Sequence, residues 1–227
     1  MKLTAGGTVW HSSGLVELAP TSISQGRRAG MRATEYATQV PTFLVGRDID
    51  LGSALKYGRA LGVTPTDVLT IASAKALVAT PAAHACLIDG KPHTYLSTRV
   101  AVLVRSGDAL IPLVFPDAEN RSAVEVRSER SHLRELLKVK RLPADRMSAP
   151  TFVISNLGPY GVEWFSAVLY PQTAMTLAVG RMADADETAS VHAVLTCDHR
   201  IVDGVDAAEF LDALAGAVGD VQITNGE

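Results

Sequence analysis

The sequence predicts an α+β fold, a layered domain in which a mixed β-sheet carries helices packed on it. Three observations point there. Strand-like alternation recurs in several short runs, helical patterns fall between them without regular βαβ spacing, and one pair of strands reads as a tight hairpin. The composition is that of a globular chain: 227 residues, 47% hydrophobic and 20% charged. That length can bury a sizeable core.

The elements follow in order. Met1–Pro20 is Gly/Ser-rich and weakly patterned, an N-terminal arm (residues 1–20) that is either flexible or an edge strand against a partner. Ser22–Thr38 reads as a basic helix with Arg27, Arg28 and Arg32. Pro41–Asp50 alternates Phe43, Val45 and Ile49 as a strand does. Asp50 can cap a short helix ending near Gly62. Thr64-Pro65-Thr66-Asp67 joins a capping hydroxyl, proline at the first helical position and an acid three residues after the cap. The helix it opens runs to about Thr80, is apolar on most sides and is expected to be buried.

Asp89-Gly90 marks a turn. Arg99–Arg105 and Ala109–Phe115 form the predicted hairpin around Ser106-Gly107-Asp108. Ser122 with Glu125 opens an amphipathic helix to about Lys140. On it Arg130, Arg134 and Lys138 recur at four-residue steps, a stripe expected to be a solvated face. Thr151–Ser155, Ala174–Gly180 and Val191–Cys197 read as strands, and Val205–Val218 as a last helix.

Charge and cysteine content narrow the function. A formal net charge of -3 lacks the basic excess of a nucleic-acid binder. The two cysteines, Cys86 and Cys197, make neither a disulfide framework nor a Cys-x-x-Cys pair. No apolar run is long enough to span a bilayer, and residues 1–20 lack the apolar core of a signal peptide. A cytoplasmic, reducing location is expected.

The chemistry concentrates in two blocks. Asp198-His199-Arg200-Ile201-Val202-Asp203-Gly204 places a histidine where a strand gives way to a helix, so that its side chain can project into a cleft. An imidazole titrates near 6.5 and suits general-base work. Asp203 can cap the final helix or pair with a cation, and Gly204 implies tight packing or a special dihedral. Thr151-Phe152-Val153-Ile154-Ser155-Asn156-Leu157-Gly158 ends a strand in a turn bearing a hydroxyl and an amide. Taken singly, His199 and Ser155 are more often a structural histidine and a turn serine. A Cys197–His199 nucleophile pair, and a metal site from His192, Cys197 and His199, are weaker readings.

Together the two blocks resemble the H-x-x-x-D-G and T-F-T-I-S-N-L-G signatures of the catalytic core of dihydrolipoamide acyltransferases of 2-oxo-acid dehydrogenase complexes. Chloramphenicol acetyltransferase shares that fold. Tyr170–Ala174 and Leu177–Gly180 resemble the proline-bearing strand between the signatures, and weaker similarity runs from about Ser22 to Val218. The resemblance implies a chloramphenicol acetyltransferase-like domain over residues 21–227, without lipoyl or peripheral-subunit-binding domains. His199 is then the general base on a thiol of coenzyme A or of a lipoyl group supplied in trans by a separate carrier protein. Ser155 is the oxyanion donor, and Asp203 a support that pairs with Arg27 or Arg28. The family's homotrimer, with the active site between subunits, is implied as well.

Departures lie where the substrate channel is expected: Thr42 in Pro41-Thr42-Phe43, Ala149-Pro150, and Arg99. Lys91, in the Asp89-Gly90 turn, reads as a solvated turn lysine rather than a lipoylation site. Beside the lipoyl-linked acyltransferase stand a free-standing coenzyme A-dependent acyltransferase on a small molecule, and a catalytically silent structural core.

Overall fold

A computed structural model describes residues 8–11, 14–17, 22–183 and 189–224. Two short strands, β1 (Thr8–His11) and β2 (Gly14–Glu17), pair antiparallel within the N-terminal arm, and the rest of the arm lies outside the described residues. Helix α1 (Gln25–Ala37) follows, its first turn capped by the Ser24 hydroxyl accepting from the Arg27 amide. The whole helix buries no residue within the chain.

β3 (Thr42–Asp50) leads into α2 (Gly52–Gly58), where Asp50 accepts from the Gly52 amide. A left-handed Gly62 ends that turn. α3 (Pro65–Ala79) starts at the predicted capping box, with Thr64 and Asp67 bonded reciprocally, and most of it is buried. β4 (Ala85–Ile88) and β5 (Lys91–Thr94) form a separate hairpin around Asp89-Gly90, where the sequence announced only the turn. β6 (Arg99–Ser106) and β7 (Ala109–Pro116) pair as expected. α4 (Ala123–Lys138) is capped by Ser122 and Glu125. β8 (Phe152–Asn156), β9 (Met175–Met182), β10 (Ser190–Asp198) and α5 (Gly204–Gly219) complete the chain.

The main sheet has six strands in the order β3-β10-β9-β8-β6-β7. β8 runs parallel to both neighbours, and the other pairs are antiparallel. One face packs Ile49, Val102, Leu113, Phe115, Phe152, Ile154, Leu177 and Leu195 against α3, α4 and α5. Phe152 meets Phe210 of α5 with ring centroids 5.3 Å apart.

The opposite face carries a small cluster of Ala101, Val114 and Val153. Residues 162–170 cross this second face. The Arg181 amide donates to the Val162 carbonyl, and the Thr196 hydroxyl donates to the Ala167 carbonyl. Gly180 makes the crossing possible, since a Cβ there would stand 1.8 Å from the Glu163 carbonyl oxygen.

The stripe on α4 is not a uniform solvated face. Arg130 is turned inward, its Nε 2.6 Å from the fully buried Asp67. Helical periodicity places it on the stripe, but a capping carboxylate that α3 buries requires a cation, and among the described residues Arg130 supplies it.

Candidate active site

His199 follows the last residue of β10. Its amide donates to the Pro41 carbonyl, and its ring lies 4.5 Å from that of Phe43. The residues on either side clamp it. Asp198, 1% exposed, accepts from the Arg200 amide and from both Nε and Nη2 of the Arg200 guanidinium, at 2.9 and 2.7 Å. Tyr36 of α1 lies close to the Arg200 side chain. The Asp198–Arg200 fork closes a tight loop with the exposed His199 at its tip. Sequence reasoning passed over this pair, although an acid and an arginine flanking the histidine were visible.

Asp203 caps α5, its carboxylate accepting from the Val205 and Asp206 amides at 2.8 and 3.0 Å. Those amides hold its carboxyl below the usual value, with a smaller contribution from nearby His199. Among the described residues no ion pair joins Asp203 to Arg27 or Arg28. Both arginines are exposed on α1, where Arg27 lies near Asp108. Gly204 opens α5 and has open space around it, so neither close packing nor a left-handed dihedral explains it.

Ser155 stands one residue before the end of β8, half-buried, and its hydroxyl has no hydrogen-bond partner among the described residues. Side chains alternate along the strand. Ile154 enters the helix-side core and Val153 the opposite cluster, so Ser155 shares the second face of the sheet.

The ladder fixes how far Ser155 lies from His199. Ser155 and Val194 both pair with Ala178, so they sit two strands apart at one level. His199 lies five residues further along β10. At ~3.4 Å per residue and ~4.8 Å per strand spacing, the two are about 20 Å apart in one chain. The sheet carries them at opposite ends.

A cavity of about 440 Å³ opens at the His199 end, between α1 and the turns that enter β8 and β9. Arg32, Tyr36, Tyr170 and Gln172 line it, with Ala149 and Pro150. Two non-glycine residues of its wall are left-handed, Ala149 at φ 50° and Gln172 at φ 62°. Arg99 Nε holds the Ala149 carbonyl at 2.9 Å, and the Tyr95 hydroxyl holds the Gln172 carbonyl at 2.5 Å. Arg99 and Ala149-Pro150, which depart from the family signature, thus belong to one corner.

Cys197 is fully buried, and burial pushes its thiol up to about 12, which removes the nucleophile reading. Among the described residues no three potential ligands gather as a metal site. His192 instead bonds Asp48 at 2.7 Å.

Residues 21–223 match the family described as 2-oxoacid dehydrogenases acyltransferase (catalytic domain). A chloroplastic dihydrolipoyllysine-residue acetyltransferase component of the pyruvate dehydrogenase complex from Arabidopsis thaliana is 33% identical over 194 residues, 80% of this chain and 42% of that protein. The corresponding protein of Rickettsia bellii is 28% identical over 172 residues, 72% of this chain and 41% of its own length. The chain thus spans about two fifths of the curated relatives it matches.

Among solved structures, a probable dihydrolipoamide acetyltransferase from Listeria monocytogenes superposes with a TM-score of 0.82 at 21% identity, covering 92% of this chain and 97% of that one. A dihydrolipoamide acetyltransferase of Azotobacter vinelandii gives 0.82 at 21% identity, covering 90% and 92%. Chloramphenicol acetyltransferase gives 0.54 at 12% identity, covering 82% and 94%. The fold is that of the acyltransferase cores, and this chain belongs to the family of 2-oxoacid dehydrogenase acyltransferase catalytic domains.

Proposed function

We propose that residues 21–227 form a catalytic domain that moves an acyl group between coenzyme A and a lipoyl thiol carried on another domain or protein. The observation that carries this is the family match across residues 21–223, with His199 exposed and the Ser155 hydroxyl unpartnered among the described residues. Both groups are free to meet a substrate. A free thiol titrates near 8.5, so a base is needed to remove its proton at neutral pH. His199 takes that proton as the sulfur adds to the thioester carbonyl. It returns the proton to the departing sulfur when the carbonyl re-forms. Ser155 donates its hydroxyl to the carbonyl oxygen while that oxygen bears negative charge. Asp203 fixes the loop behind His199 through the α5 cap, and the Asp198–Arg200 fork holds it from the other side.

About 20 Å within one chain is too far for this division of labour, so His199 of one subunit works with Ser155 of its neighbour. A homotrimer supplies that arrangement. The second face, which bears Ser155, also exposes Leu44 (51%), Trp164 (63%) and Val168 (54%), apolar surface of the kind subunit contacts cover. A related structure is the cubic core of the pyruvate dehydrogenase multienzyme complex. In the Azotobacter protein a serine, a histidine and an asparagine were investigated for roles in catalysis, and that asparagine stands four positions after the histidine, as Asp203 does here.

No described helix is long and apolar enough to cross a membrane. Two buried free cysteines suit a reducing, cytoplasmic setting, although the Arabidopsis relatives include chloroplastic and mitochondrial proteins.

Acyl exchange between acetyl-coenzyme A and free dihydrolipoamide tests the proposal. The intact protein is expected to be active, His199→Ala inactive, and Ser155→Ala slowed about a hundredfold in kcat, as loss of one oxyanion donor predicts. No exchange with acetyl, branched or longer acyl groups would refute the lipoyl assignment. Exchange restored by a small-molecule acceptor would then favour a free-standing acyltransferase, and none at all a silent core.

A further inference from the structure

We propose that Asn156 is a positioning residue, which braces the end of β8 from the helix side so that Ser155 presents its hydroxyl on the opposite face. The inference rests on the acyl-transfer reading above. Because side chains alternate, Ser155 faces outward and Asn156 faces the helices. The Asn156 carboxamide uses both ends. Its Nδ2 donates to the Thr66 hydroxyl at 3.0 Å, and its Oδ1 accepts from the Gly158 amide at 2.8 Å. The first bond ties the strand end to the first turn of α3. The second folds the chain over into the turn behind Ser155.

The anchor at Thr66 is itself held. Thr66 lies inside the Thr64–Asp67 capping box. Arg130 grips the buried Asp67 carboxylate through Nε and Nη2 at 2.6 and 3.1 Å, and reaches the Thr64 hydroxyl at 3.3 Å. On the other side the turn is pressed onto β9. The Leu157 amide donates to the Val179 carbonyl, and a Cβ on Gly158 would stand 2.5 Å from the Gly180 carbonyl oxygen. The path therefore runs from α4 through the α3 cap to Asn156 and then to Ser155. A donor that must meet a transient oxyanion gains from such preorganisation, because no reorganisation is left for the reacting step.

A double-mutant cycle with the full chain in the acetyl-coenzyme A and dihydrolipoamide exchange decides it. Asn156→Ala is expected to lower kcat about tenfold or more, with both KM values held within about twofold. In a Ser155→Ala background the same change should cost less than about twofold, since there is no hydroxyl left to aim. Thr66→Val should repeat part of the loss, and Thr66→Ser should restore it. Hydrogen exchange at the Gly158 amide gives a readout independent of turnover, and it should quicken in Asn156→Ala. Additive losses in the cycle, or unchanged kcat in Asn156→Ala, would overturn the positioning role while leaving acyl transfer standing. An inert wild-type protein would overturn acyl transfer instead. In that case unchanged Gly158 exchange in Asn156→Ala would also remove the brace, and quickened exchange would keep it as a property of the turn.

Discussion

His84 is 4% exposed and, among the described residues, has no charged partner, so its environment penalises the protonated ring. Its Nε2 lies 2.8 Å from the Thr151 hydroxyl, and that oxygen already accepts from the Arg99 amide at 3.0 Å. That contact ties the ring to Thr151, and burial favours the neutral imidazole. Burial lowers its pKa from 6.5 to about 4. Between those values the unfolded chain binds the proton and the folded one does not, so stability falls as pH drops from 6.5 to 4 and is level on either side. The drop amounts to about 3 kcal/mol. Urea midpoints across pH 4 to 7 are expected to show it in the wild-type protein and to lose that component in His84→Gln. Asp203 contributes in the same sense, lower on the pH scale. Its lowered carboxyl stabilises the α5 cap above the ordinary carboxylate value, and that stabilisation disappears as pH falls through the folded value.

Between elements, the ion pair of Arg130 and Asp67 is a charged joint between α4 and α3. Asp67 serves the α3 cap and is wholly buried, so its charge has no water to fall back on. Arg130→Ala leaves that carboxylate uncompensated and is expected to cost about 3 to 5 kcal/mol, measured by denaturant unfolding. Arg134→Ala, an exposed neighbour one turn on, is expected to change stability by less than about 0.5 kcal/mol. The contrast separates a stripe read from periodicity from the side chain the tertiary structure uses. The capping boxes of α3 and α4, and Asp203 as a cap of α5, were legible beforehand because a cap is a contact between residues two or three apart, whereas the return bond from Asp206 was not read. The β4–β5 hairpin was not, since Lys91-Pro92-His93-Thr94 is exposed throughout and carries no alternation to read.

For the whole molecule, the separation of His199 and Ser155 makes oligomerisation part of the proposed activity rather than an addition to it. Hybrid trimers test this directly. Co-refolded His199→Ala and Ser155→Ala chains, mixed equally, are expected to recover about a quarter of wild-type exchange activity, because a random interface joins the intact histidine of one chain to the intact serine of the other that often. Recovery no greater than the sum of the two parents would place both groups in one subunit's site and contradict the strand register.

What the sequence by itself determined was local or repeated. It gave the principal helices and the six strands of the main sheet, their caps, and the two blocks whose resemblance placed the chain in its family. The helices, strands and caps are written in neighbours three, four or two positions apart, so spacing exposes them, whereas the two blocks were told by resemblance to a known family. The tertiary structure alone decided the parallel insertion of β8 between β6 and β9, and with it the separation of about 20 Å between His199 and Ser155. It also turned Arg130 inward, formed the Asp198–Arg200 fork and brought Asn156 to Thr66, 90 residues away. Such contacts depend on which segments share a layer. That choice follows from burying the apolar faces of the whole chain at once, and no local stretch of sequence contains it.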